Sequence, residues 1–73
     1  MKLPQVKPNR LVRILKKIGC IELGQSGSHK IFRYPRNNKK IVVPMHTKDL
    51  KKGLLHSIIT RDLEMSIEEF NKL

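Results

Sequence analysis

Apolar residues at positions 11, 12, 15 and 18 recur at the spacing of one helical face, with Arg13, Lys16 and Lys17 between them on the other side. Pro8 suits the first helical position, where its missing N–H costs nothing, and Gly19 suits a left-handed stop. The pattern predicts a first helix over residues 8–18, after a short basic lead-in, Met1–Lys7, that contains Pro4. The period then changes to two. Ile21 and Leu23 alternate in a short strand over 20–23, and Gly24-Gln25-Ser26-Gly27 has the chemistry of a hairpin turn. A second strand over 28–34 carries Lys30, Phe32 and Tyr34 on one face and His29, Ile31 and Arg33 on the other. Phe32 is expected to point into the core, so His29 and Arg33 share the opposite face. Pro35-Arg36-Asn37-Asn38 forms a second turn, and a third strand over 40–43 is ended by Pro44.

A polar loop, Met45–Lys51, holds His46. Helical spacing returns with Leu54, Leu55, Ile58 and Ile59, which predict a second helix over 51–61. Gly53 near its start weakens helix propensity by about 1 kcal/mol relative to alanine. Ser66 followed by Glu69 is a capping box, so a short third helix is expected over 67–72, with Phe70 packing back. The order is α-β-β-β-α plus a small terminal helix, an α+β fold. Tight turns between strands imply an antiparallel three-stranded sheet, and one apolar stripe on each main helix implies that both cover the same face of it. The other face is left open.

At 73 residues the chain is a single domain, 1–73, too small to enclose a deep cofactor pocket. Catalysis on a polymer lying across the surface remains within reach. The formal net charge is +10, and the sign is uneven: residues 1–60 hold fourteen basic and two acidic side chains, whereas residues 61–73 hold two and four. Such a surface attracts a polyanion, nucleic acid before membrane, because no long apolar run is present. The N-terminus lacks the apolar stretch of a signal peptide, from which a cytoplasmic location is expected. The lone Cys20 and three scattered histidines do not make a metal site, and no cofactor is expected.

Candidate chemistry centres on His29. It follows Gly27-Ser28, a turn expected to lift it into view, and histidine titrates near neutrality. Cleaving RNA requires a group that takes the 2′-OH proton or protonates the leaving 5′-oxygen, and histidine suits either role. A solvent-exposed or structurally bonded histidine is the plainer alternative. His46 could lie near either end of strand two, and a loop histidine that binds a phosphate or partner fits as well. His56 sits off the apolar stripe of helix two and is given no catalytic role. Lys30 and Arg33 on the hairpin, and Lys48 before the second helix, are candidates for phosphate contact. Phe32 and Tyr34 are too few to form a base-stacking platform.

These residues resemble the HicA family of toxin ribonucleases. The matching pieces are Leu-Lys-Lys-Ile-Gly at 15–19, Gly27-Ser28-His29 followed by Phe32-Arg33, Val43-Pro44 with His46, Leu50 with Gly53 and Leu55, and Ser66 with Glu68-Glu69-Phe70. Their shared order covers about residues 3–71. The resemblance implies a fold like the double-stranded-RNA-binding domain and a translation-independent mRNA-cleaving toxin, an mRNA interferase. It assigns catalysis to His29 and implies a HicB-type antitoxin that masks the site. With no metal-ligand cluster in the sequence, cleavage of its single-stranded RNA substrate is expected to need no metal. Two positions depart from the family pattern. Cys20 stands where an aromatic residue is common, and Glu64 stands where glycine is common, so either the turn before the last helix differs or helix two runs on. A non-catalytic RNA-binding module of the same fold is the competing reading. A DNA-binding or purely regulatory subunit is disfavoured, because no helix carries a pattern of base-reading side chains.

Overall fold

A computed structural model describes residues 5–46 and 48–73. Residues 1–4 of the expected lead-in, and Thr47 of the loop after the third strand, lie outside the described residues. The elements are α1 (Pro8–Lys17), β1 (Ile21–Ser26), β2 (His29–Tyr34), β3 (Lys39–Pro44), α2 (Lys52–Ser57), a π-helical turn (Ile58–Asp62) and α3 (Ile67–Asn71). The three strands form one antiparallel sheet in the order β1-β2-β3. This is the α-β-β-β-α arrangement expected from the sequence, consistent with the double-stranded-RNA-binding-domain-like fold.

Helix α1 begins at Pro8 and buries Leu11, Val12, Ile14 and Leu15 while Arg10, Arg13, Lys16 and Lys17 stay in water. Its end is a Schellman motif. Gly19 takes φ 97°, the Gly19 N–H donates to the Lys16 carbonyl at 3.2 Å, and the Cys20 N–H donates to the Leu15 carbonyl at 2.8 Å. Part of the lead-in is structural: Val6 is buried, and its carbonyl accepts from the Leu50 N–H at 2.9 Å. The core gathers α1, the inner sheet face (Phe32, Tyr34, Ile41, Val43) and the C-terminal half (Leu55, Ile58, Ile59, Leu63, Phe70).

Most bounds shift by a single residue, Pro44 for example closing β3 from within the ladder rather than beyond it, but two elements differ more from the sequence expectation. The first strand does not stop at Leu23. It runs through Gly24, Gln25 and Ser26, with a bulge between Glu22 and Gly24, so the expected four-residue turn shrinks to Gly27 and Ser28. The turn-forming glycine at 24 instead accommodates the bulge, one of the roles of glycine inside a strand. The second helix changes form rather than running to residue 61 as one α-helix. Its apolar and buried positions come in pairs, 54/55, 58/59 and 62/63, spaced by four. That spacing exceeds the 3.6 of an α-helix, and a widened turn keeps it facing the core. The Leu63 N–H accordingly reaches the Ile58 carbonyl, five residues back, at 2.8 Å.

The helix therefore does run on, and the residue after Leu63 must then turn sharply. Glu64 adopts φ 53°, a left-handed conformation in which glycine carries no steric cost. Its carboxylate accepts from Asn37 Nδ2 at 2.8 Å and pairs with Lys39 Nζ at 3.3 Å. Asn37 also donates to the Asp62 carbonyl and Lys39 to the Arg61 carbonyl, so the β2–β3 turn caps the end of the π-helical turn.

Candidate active site

Antiparallel pairing sorts the side chains of the sheet. On β2, Phe32 and Tyr34 are buried against the helices, whereas His29, Ile31 and Arg33 alternate onto the other face. That face remains open, leaving Ile21, Leu23 and Val42 45%, 51% and 43% exposed. The register places Arg33 between Ile21 and Lys40, Ile31 between Gly24 and Val42, and His29 between Ser26 and Pro44. One end of the open face is thus basic, its middle is apolar, and its other end carries an imidazole.

Gly27, with φ 60°, is the first of two turn residues joining β1 to β2, the pattern of a type II′ hairpin turn. Gln25 Nε2 braces it by donating to the Gly27 carbonyl at 2.9 Å. The turn delivers Ser28 and His29 at the start of the central strand. Beyond the His29–Pro44 pair, the Met45 N–H donates to the Ser28 carbonyl at 2.7 Å and carries the ladder one step further. His46 therefore leaves the sheet beside the start of β2, which settles the end of the strand that its sequence position left open.

The two imidazoles lie edge to face, with centroids 5.8 Å apart and planes inclined by 63°. Ser28 Oγ and His46 Nδ1 share a hydrogen bond of 3.1 Å. Both histidines are exposed. Two accessible imidazoles side by side can take a proton from one atom and give a proton to another on the same substrate.

The remaining candidates are dispersed. Arg33 shares the histidine face but sits four residues along the strand, about 13 Å at the usual rise, where its guanidinium donates to Asn38 Oδ1 at 3.2 Å. Lys30 alternates to the helix-covered side and is half-buried. Lys48 is exposed in the segment following His46. His56 is exposed on α2, and the lone Cys20 is buried. Burial pushes the Cys20 thiol up to about 11, which suppresses the reactive thiolate. Among the described residues, no three His, Cys, Asp or Glu side chains are grouped to hold a metal ion. A cavity of about 380 Å³ lies between α1 and α3, lined by residues such as Val6, Arg10 and Phe70, none of them on the sheet.

Sequence reading singled out Ser28 only as part of the turn and missed its contact with His46. The signal was present in Ser28 and the histidine after Pro44, but it required the strand register to connect positions 18 residues apart.

The family model described as the HicA toxin of bacterial toxin–antitoxin systems matches residues 8–65, a span from the start of α1 to the turn before α3. No curated protein matches the chain. No helix among the described residues is long and apolar enough to cross a membrane.

Proposed function

The chain belongs to the HicA toxin family of bacterial toxin–antitoxin systems, and from that premise we propose that it is an endoribonuclease that cleaves single-stranded RNA through His29 without a metal. The observation that carries the reading is the placement of His29. It directly follows a glycine-set turn and is exposed at one end of an open sheet face, in a chain of net charge +10. A polyanion drawn to this surface meets an accessible proton-transfer group. Arg33 and Lys40, paired across β2 and β3 at the other end of the face, and Lys48 beyond His46 hold phosphates. Lys30, directed to the other side, contributes charge to the surface rather than a contact beside His29.

The exposed apolar strip of Ile21, Leu23 and Val42 supports a second part of the reading. A HicB-type antitoxin covers this face and so excludes RNA from His29. Such binding also stabilises the toxin, since a partner that binds only the folded state raises its stability by mass action.

The test is cleavage of a defined single-stranded RNA by the wild type and His29→Ala, with EDTA present and circular dichroism to confirm folding. The variant is expected to lose about 10²–10⁴-fold in rate. Equal cleavage by both would refute the role of His29. Salt-sensitive RNA binding with no cleavage by either would identify a binding module instead.

A further inference from the structure

The geometry points to a two-histidine site: we propose that His46 is the second proton-transfer group of the cleavage reaction, complementary to His29 and oriented by Ser28. The inference rests on the ribonuclease reading above and deepens it. Breaking an RNA phosphodiester by internal attack moves two protons. The 2′-oxygen must lose one as it attacks phosphorus, and the 5′-oxygen must gain one as it leaves. A single imidazole has to serve both oxygens in turn, whereas two imidazoles can serve them together.

The observed placement suits the second case. With centroids 5.8 Å apart, the rings are too distant to bond each other and near enough to flank one phosphodiester. Each proton transfer needs a ring nitrogen within about 2.6–3.2 Å of its oxygen. The contact between His46 Nδ1 and Ser28 Oγ leaves Nε2 for substrate. With the proton exchanged at Nε2, Nδ1 keeps its hydrogen in both states and donates it to Ser28 Oγ, so Ser28 holds the ring through the change of protonation. Ser28 is thus a positioning residue. It precedes His29 in the chain and bonds His46, so one turn fixes both rings relative to each other.

The step balances without a co-reactant. The 2′-oxygen forms a bond to phosphorus, and its proton passes to the neutral ring. The bond from phosphorus to the 5′-oxygen breaks, and that oxygen takes a proton from the protonated ring. The products are a 2′,3′-cyclic phosphate and a 5′-hydroxyl. The rings exchange protonation states, which solvent restores.

His29 is flanked across the sheet by Ser26 and Pro44, neither titratable. Further along the same face the first charged side chains are Arg33 on β2 and Lys40 on β3, and Lys48 and Asp49 follow in the chain after His46.

The experiment measures cleavage rate against pH, in EDTA, for the wild type, His29→Ala, His46→Ala, Ser28→Ala and Ser28→Thr, and identifies the product ends. The wild type is expected to give a bell-shaped profile with cyclic phosphate and 5′-hydroxyl products. Each histidine variant should lose about 10²–10⁴-fold in rate and one limb of the bell. Ser28→Ala should displace the limb that His46→Ala removes, and Ser28→Thr should restore it. A substrate with sulfur in place of the 5′-bridging oxygen needs no acid to depart, so it should rescue one histidine variant and not the other. Both sites are exposed, and circular dichroism checks that each variant folds. His46→Ala cleaving at the wild-type rate with both limbs intact would overturn the inference while leaving the ribonuclease reading in place. A wild type that does not cleave would overturn both.

Discussion

Glu64 shows how one residue can depart from a glycine preference and be held in place by its neighbours. Its backbone is left-handed, and its carboxylate is gripped by Asn37 and Lys39. The hydrogen bond from Asn37, followed by that from Lys39, holds its carboxyl below the usual range. Glu69 is lowered in the same direction, first by the backbone hydrogen bond from Ser66. Groups with a depressed folded pKa add stability that is present above the ordinary carboxylate range and is lost as pH falls through the folded value. The double variant Glu64→Gln, Glu69→Gln should therefore lose less stability on acidification than the wild type, as thermal melts at a series of pH values will show. Glu64→Ala should melt below Glu64→Gly, because both lose the carboxylate contacts and only alanine resists the positive φ. Cys20 gives the opposite sign. Its raised pKa means that folding opposes ionisation, so stability is complete below the ordinary thiol value and falls as pH rises from about 9 towards about 11. Alkylation of the folded protein at mild pH should be far slower than after denaturation.

Among the elements, α3 spans five residues and cannot persist on propensity alone. Its capping box is complete: the Glu69 N–H donates to Ser66 Oγ at 3.0 Å, and the Ser66 N–H donates to Glu69 Oε1 at 3.1 Å. Ser66→Ala is expected to cost about 0.5–2 kcal/mol in chemical denaturation, typical of a lost N-cap. This element was legible because capping is a contact between near neighbours in sequence. So was α1, whose stripe and glycine stop are local. The bulge in β1 and the π-helical turn were not. Glycine 24 serves a turn or a bulge equally well, and only the ladder with β2 decides between them. The four-residue spacing from Leu54 to Leu63 was visible, but reading it as a widened helix required knowing that all these positions face one core.

For the molecule as a whole, size makes each core contact weigh heavily. Leu55 is fully buried under the sheet side of the C-terminal half. Leu55→Ala should cost about 2–5 kcal/mol, a large share of the roughly 5–15 kcal/mol available to a domain, and a denaturant midpoint will report it. Charge acts at the same scale. RNA binding should weaken with salt, with a log–log slope of about −0.7 per phosphate neutralised on a single strand. Arg33→Ala should make that slope shallower without changing the pH profile, separating phosphate contact from proton transfer. The amino-acid sequence by itself determined the order of elements, the antiparallel sheet and the face on which His29 stands, because hydrophobic period, turn chemistry and capping act between residues close in the chain. Only the tertiary structure decided that His46 returns to the Gly27-Ser28 turn and that Lys40 stands beside Arg33 across β2 and β3. Those relations depend on strand register, which is set by hydrogen bonds between segments whose separation no local pattern encodes.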